Sequence, residues 1–520
     1  MGRSKGRVFM AKIDAKPQAQ VVAFLLSHRP YKGAGPVSHI ETHGAHIFLC
    51  GKEAFKIKRS ARYVYMDLST PDLRRALLLR ELALNRVTAP MIYRDVVPIT
   101  RTPDGGLTLN GAGPPVEWVL RMHRFPATSE MTFIAGAGQL TDAVAADLGQ
   151  VIARFHAGCP VSFEAGDALM ADILDELAHE LRGFAAPLGT KLVESFLTRS
   201  RHALTTLAPH LRERSKHGHV RRAHGDLHLR NLLLYHGKPV LFDALEFDER
   251  LGTCDVLYDL AFLLMDLCHR GHARAANAVL NAYLLAARGG QDSGLSALPL
   301  FLSVRGAIRA MVLMQTDQAS GQTHSNLAEA RLYLTQAGEG LEVQPPTLTL
   351  IGGLSGTGKT VLAQELALRL APCPGAIHLR TDTERKAGDG RAAVSYTPAA
   401  RRAIYDHMIN RAAAVLMAGH SVILDATFLD ETARRAAQDL ALRLHIPFRG
   451  LWLAAPDAVL LARVSTRQND ASDADGVVVR RQLALKPVAP SGWAIIDAGG
   501  SALATCDNAC AVLDNAVVAS

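Results

Sequence analysis

Two stretches of this sequence carry residue types at spacings suited to phosphoryl chemistry. In the first, Gly353-Leu354-Ser355-Gly356-Thr357-Gly358-Lys359-Thr360, the glycines let backbone amides approach phosphate oxygens. Lys359 can reach the terminal phosphates, and the Thr360 hydroxyl can ligate Mg2+. In the second, His224-Gly225-Asp226-Leu227-His228-Leu229-Arg230-Asn231, an Asp precedes an Asn by five residues. Twelve residues after Asn231, the apolar run Pro239-Val240-Leu241-Phe242 ends in Asp243. Asp226 could take the proton of an attacking hydroxyl. Asn231 and Asp243 offer oxygens to a metal that bridges phosphates. The bland alternative is a hydrogen-bonded turn between His224 and Asp226, and His228 alone proves little.

Further residues follow the glycine-rich loop. The run Ala376-Ile377-His378-Leu379 leads into Asp382-Thr383-Glu384-Arg385. Asp382 at a strand's carboxyl edge could be a base and Arg385 an acceptor-binding group. Asp425 ends the apolar run Ser421-Val422-Ile423-Leu424, where a Mg2+–water ligand belongs. Arg463 and Arg467 lie one helical turn apart and could close over the transferred group. Asp382 could instead cap a helix, and the two arginines could form a solvated face. Ser472 reads as a helix cap.

The elements that must position these groups differ between the two halves. Residues 38–60 and 91–125 read as short strands, with a helix over 71–88 between them. From about 141 to 340 the pattern is helical, except for a strand–turn–strand at 231–244. Gly338-Glu339-Gly340 and Pro345-Pro346 mark a seam, after which strands and helices alternate as in a parallel sheet with helices on both faces. The expected domains are 1–340, with a small lobe at 35–125 and a large lobe at 126–340, and 346–520.

Composition narrows the classes. Of 520 residues, 48% are hydrophobic and 20% charged, as in an ordinary globular chain. The net charge of +8 divides into +2 from residue 346 onward (18 basic, 16 acidic) and +6 before it. That excess suits a phosphate-handling enzyme and is too diffuse to point to nucleic acid. The seven cysteines form no Cys-x-x-Cys pair and read as reduced thiols. Val21 to Leu26 is too short for a signal-peptide core, and no continuous apolar run reaches membrane-span length, so a cytoplasmic protein without membrane association is expected.

On Asp226, Asn231, Asp243 and the segment Asp255-Val256-Leu257-Tyr258-Asp259, residues 35–340 resemble the aminoglycoside phosphotransferase and choline kinase group. That resemblance implies an α+β bilobal protein-kinase-like fold. It implies a strand lysine, Lys56 in preference to Lys58, paired with Glu81, and a hinge over Arg121 to Phe125 against adenine. Asp259 would brace the catalytic loop, and His228 would touch substrate. The sequence departs from the pattern in lacking a full glycine-rich loop around Gly44 and in continuing Asp243 as Ala244-Leu245-Glu246. Residues 345–500, on Gly353 to Thr360, Asp382, Arg385, Asp425, Arg463 and Arg467, are similar to P-loop kinases related to polynucleotide kinase and zeta toxin. That resemblance implies an α/β domain binding ATP or GTP with Mg2+. Together they imply a kinase of two domains acting on hydroxyl groups of small molecules. Two alternatives stay open: a nucleotide-sensing regulator with a pseudokinase half, and a P-loop half acting on nucleic-acid ends.

Overall fold

The computed structural model describes residues 16–32, 35–42, 44–62, 66–321, 325–387, 397–466, 474–485 and 487–518. By contact the chain divides into two compact units. One runs to Leu140 and adds 159–162 and 220–254; the other holds 141–158, 163–219 and 255–520. The division does not fall at the Gly338–Pro346 seam. Most helices between residues 142 and 339 share a unit with the whole P-loop region.

In the first unit, β1 (Ser38–Glu41), β2 (Ala45–Cys50), β3 (Glu53–Lys58), β4 (Tyr93–Arg101), β5 (Leu107–Leu109) and β6 (Pro115–His123) form an antiparallel sheet. Its order is β1-β2-β3-β6-β4-β5. Alternation along β3 explains its place. Phe55 and Ile57 join Val21, Leu25, Phe48 and Val119 in one core. Ala54, facing the other way, joins Leu78, Leu82, Leu120 and Met122. Lys56 and Lys58 share the face of Ala54.

The helix Pro71–Asn85 starts at Thr70, whose side chain accepts from the Leu73 amide, with Pro at the first helical position. Its buried residues are Arg74, Leu78, Glu81, Leu82 and Asn85, one face at helical spacing. Three of those five are polar, which marks a face used for more than packing. Arg74 is tied to Glu117 of β6 by 3.0 and 2.9 Å hydrogen bonds. After β7 (Val220–Arg222) comes the loop that holds Asp226, then the antiparallel pair β8 (Leu232–Tyr235) and β9 (Lys238–Leu241), then β10 (Thr253–Asp255). The sequence pattern does not announce β7 and β10, whose three residues are too few to show a period.

The second unit contains the helices of residues 142–339 and a five-stranded sheet. Its strands are β11 (Leu348–Gly353), β12 (Ile377–Arg380), β13 (Val422–Asp425), β14 (Phe448–Ala454) and β15 (Ala494–Asp497). The order is β12-β13-β11-β14-β15, parallel throughout. Ile351, Ile423, Leu451 and Ile496 meet Leu362, Leu366 and Leu513 of flanking helices in one core. One stretch, 292–320, is long and apolar enough to cross a membrane (mean hydropathy 1.6), yet 61% of its apolar 18-residue window is buried inside the protein, as in a core helix. The helix Gly476–Ala484 is capped by Asp475, which accepts from the Val477 and Val478 amides. The expected cap Ser472 lies outside the described residues.

Within this unit the P-loop region is stitched to the helix Ala273–Ala286 and the turn that follows. β12 pairs with β13 on one side only, and side chains meet backbone groups on and just before its open edge. Asn277 donates to the Ala376 carbonyl at 3.1 Å, and the His378 amide donates to Asn281 at 2.7 Å. Arg411 makes two 2.8 Å hydrogen bonds to Asp292 and one of 2.6 Å to Glu384, all three side chains being buried. The buried His420 bonds the Leu295 carbonyl at 2.9 Å.

Candidate active site

Lys56 is buried and touches two carboxylates, Glu81 at 2.7 Å and Asp243 at 3.0 Å. Burial alone would push its pKa down; Asp243 and Glu81 outweigh that and hold the ammonium well above its ordinary range. Glu81 is fully buried and sits between two lysines, because Lys58 reaches its other oxygen at 2.7 Å. Burial raises the Glu81 carboxyl, and Lys56 and Lys58 overcome it, leaving it lowered to about 2. Lys58 also pairs with Glu246. The strand face therefore supplies two lysines to a line of three carboxylates.

Asp243 has φ 57°, a left-handed conformation held by its surroundings. Its amide donates to the Tyr93 hydroxyl at 3.2 Å, and the next amide, Ala244, donates to Asn85 at 2.9 Å. Asn85 in turn donates to the Glu81 carbonyl at 2.9 Å, so the helix that presents Glu81 also positions Asp243. Tyr93 and Asn85 carry no local motif, and only the folded chain reveals them.

Asn231 donates to the Asp226 carbonyl at 2.9 Å and to Asp226 Oδ2 at 2.8 Å. His228 Nε2 lies 3.4 Å from the same Oδ2. Two neighbours on one oxygen fix the carboxylate's orientation, while the Asp226 side chain stays 40% exposed and open to an acceptor. His224 is buried, its Nε2 3.0 Å from the Phe242 carbonyl, and its own carbonyl accepts from the Leu245 amide at 2.9 Å. The Asp226 loop and the Asp243 segment are thereby laced together. Asp259 is fully buried on the helix Val256–His269, 3.1 Å from His156. In the hinge segment, Arg121 makes two hydrogen bonds to Asp95, at 2.7 and 2.6 Å.

The P-loop site is local. β11 ends at Gly353, and the helix Lys359–Ala367 begins six residues on, two residues earlier than its apolar pattern suggests. Gly353 has φ +135°, and a Cβ there would lie 2.6 Å from the Leu453 carbonyl oxygen. Gly358 has φ +89° with nothing within 4 Å of a Cβ, so a side chain there would fill open space at the helix N-terminus, where an anion is favoured. Lys359 Nζ donates to the Leu354 carbonyl at 2.9 Å. Leu354 and Thr357 are buried, and Thr357 donates back to Leu354 at 2.8 Å.

The Thr360 hydroxyl donates to Asp425 Oδ2 at 2.7 Å, and His378 Nε2 lies 3.2 Å from the same oxygen. Burial raises the Asp425 carboxyl, but His378, Lys359 and Thr360 outweigh it and hold the group below its ordinary value. Asp382 opens the helix Thr381–Ala387, with Arg385 at 3.3 Å and Arg380 at 3.6 Å. Arg463 donates to the Ala498 and Gly500 carbonyls at 2.8 and 2.6 Å, which places its guanidinium against the turn after β15. Arg467 lies outside the described residues.

Gln482 was not foreseen. It accepts from the Ser355 amide at 2.9 Å and donates to the Ser355 hydroxyl at 3.1 Å, across 127 residues of sequence. A cavity of about 210 Å³ is lined by Thr360, His378, Arg380, Asn277 and Asn281 among others.

Among the described residues no group of three or more His, Cys, Asp or Glu is placed to hold a metal by itself. The oxygens of Asn231 with Asp243, and of Thr360 with Asp425, are the hard donors Mg2+ takes. Mg2+ ordinarily fills its shell with one or two carboxylates, water and substrate phosphates. The donor sets therefore fit an ion that arrives with a nucleotide.

Residues 57–294 match the model of the phosphotransferase enzyme family, and residues 348–487 match that of an AAA domain. Uncharacterized proteins of Mycobacterium bovis and Mycobacterium tuberculosis are 28% identical over 478 residues, covering 88% of this chain and 92% of theirs. Among solved structures, a choline/ethanolamine kinase family protein from Mesorhizobium loti is 14% identical, covering 63% of this chain and 95% of that one (TM-score 0.36). Amicoumacin kinase in complex with AMP-PNP, Ca2+ and Ami is 15% identical, over 63% and 93% (TM-score 0.38). A gluconokinase from Sinorhizobium meliloti is 17% identical, over 34% and 99% (TM-score 0.26). By its family matches the chain resembles phosphotransferases in its first region and a P-loop domain in its second. The matched regions give a phosphotransferase-family domain of α+β build followed by an α/β P-loop domain.

Proposed function

We propose that this chain is a bifunctional, Mg2+-dependent kinase of the cytoplasm that moves the γ-phosphoryl group of ATP to hydroxyl groups of small molecules at two separate sites. Residues 1–340 would hold one site and 346–520 the other. The observation that carries the reading is Lys56 held between Glu81 and Asp243, in the same unit as an Asp226 carboxylate fixed by Asn231.

In the kinase-like site, Lys56 orients the nucleotide phosphates and Glu81 keeps Lys56 in place. Asp226 takes the proton of the acceptor hydroxyl, which His228 helps to position. Asn231 and Asp243 would hold Mg2+, which supplies charge neutralisation on the phosphates when bound. In the P-loop site, the amides of 353–358 and Lys359 grip the phosphates, and Thr360 with Asp425 would hold Mg2+. Asp382, steadied by Arg380 and Arg385, takes the acceptor's proton, and Arg385 binds the acceptor. Arg463 and Arg467 stand as the proposed lid. Both sites work by orientation and fixed charge. The small cavity beside Thr360 suits a small acceptor better than a nucleic-acid end. In the same domain, Phe428 and Trp493 are buried and offer no open face for stacking.

A screen of the full chain against a metabolite library with ATP and Mg2+, read by mass spectrometry, tests this. Phosphorylated small molecules are expected. ATP hydrolysis without any phosphorylated acceptor, or no ATP consumption, would contradict it.

A further inference from the structure

Outside both sites, two sulfur atoms of the second unit lie close together. Cys268 is in the last turn of the helix Val256–His269. Cys373 lies in the turn between the P-loop helix Lys359–Ala367 and β12. The two are 105 residues apart in sequence, and their Sγ atoms are 3.3 Å apart. Cys373 is exposed, so a dissolved oxidant can reach it, and Cys268 is partly buried behind it. The hydrogen bond between the thiols holds Cys373 below its ordinary pKa, against the effect of burial, and holds Cys268 above. That makes Cys373 the readier nucleophile.

The other cysteines offer a contrast. Cys506 and Cys510 are 4.0 Å apart but buried and one turn apart on the same helix, so a bond between them would join nothing new. Cys50, Cys159 and Cys254 are buried.

We propose that Cys268 and Cys373 form a redox-responsive pair, closing to a disulfide when the chain meets a small-molecule disulfide such as oxidised glutathione. The Cys373 thiolate attacks one sulfur of the reagent, breaks its S–S bond and releases half of it as thiolate. Cys268, losing its proton to solvent, attacks the Cys373 sulfur of the mixed disulfide and releases the other half. The protein loses two hydrogens, and the reagent is reduced to two thiols. The sulfurs must close from 3.3 Å to about 2.05 Å, a shift within side-chain reach. The bond joins the helical segment of the first half to the turn that ends the P-loop helix. It makes covalent the junction otherwise held by Asn277, Asn281, Arg411 and His420. Cross-linking so distant a pair restricts the unfolded chain and raises stability.

The test incubates the full chain with oxidised glutathione, blocks free thiols, and reads intact mass, peptide map and melting temperature. The expected product is two hydrogens lighter, yields a peptide joining Cys268 to Cys373, and melts several degrees higher until reductant restores the parent. Cys268→Ser and Cys373→Ser each remove the shift, and Cys506→Ser leaves it unchanged. A stable glutathione adduct on Cys373, a cross-link between other cysteines, or no reaction would overturn the proposal. The peptide map of the parent chain decides this even where a variant folds poorly.

Discussion

The two phosphate sites are built in opposite ways. The proposed P-loop site takes eight consecutive residues and one aspartate, and its backbone amides would do most of the binding. The kinase-like site gathers Lys56 from a strand, Glu81 from a helix, and Asp226, Asn231 and Asp243 from two loops. A contiguous site depends on local conformation, so its fold and its chemistry can be separated by substitution. A gathered site depends on buried ion pairs, so the same residues carry both. Removing one partner of such a pair leaves a buried charge at a cost of about 3–5 kcal/mol.

The sharpest break in the comparison is Asp226→Asn. The amide keeps the shape and cannot take a proton at neutral pH. With the P-loop site silenced by Lys359→Ala, single-turnover rates at the kinase-like site should fall about 10²–10⁴-fold, while nucleotide affinity and melting temperature hold. A fall of rate only in step with affinity would make Asp226 a pin for the turn and nothing more.

A second effect concerns stability on the P-loop side. Burial pushes the His420 imidazole down to about 4, and its Nδ1 has no partner. The unfolded chain takes up that proton near pH 6.5, whereas the folded one resists it. Stability is therefore full above pH 6.5 and declines as the pH falls toward 4, by on the order of 3 kcal/mol. His420→Gln, which keeps a donor for Leu295, should flatten that part of the urea-midpoint profile. An unchanged profile would show that another group titrates there.

The smallest effect expected is that of Gln482→Ala. Two hydrogen bonds to Ser355 hold the P-loop from a distant helix, and their net worth is about 1 kcal/mol each. ATP affinity at that site should weaken by roughly thirtyfold or less. A total loss would mean that the loop is not locally determined, and the contrast between the sites would narrow.

What was legible in the sequence follows the same division. Glycines, a lysine and a hydroxyl in fixed register announce a phosphate loop, and the Asp226–Asn231–Asp243 spacing announces its counterpart. The parallel sheet was readable from the alternation of strands and helices, and the short strands of 38–60 and 91–125 from their runs, though not their antiparallel pairing. The family resemblance prefers Lys56, but a strand's two-residue period puts Lys56 and Lys58 on one face, and the folded chain brings both to Glu81. Asn85, Tyr93, His378, Gln482 and Arg411 gave no signal, since their partners lie far away in sequence. Arg411 also warns against cutting the chain at the seam. Without the first half it would lose Asp292 and remain buried beside Glu384 alone.

The most direct test of two separate sites is product analysis on the full chain with ATP, Mg2+ and a metabolite pool, comparing the parent with Asp226→Asn and Lys359→Ala. Two classes of phosphorylated product are expected, one lost in each variant and both lost in the double variant. A single product abolished by either substitution alone would contradict two independent transfer sites.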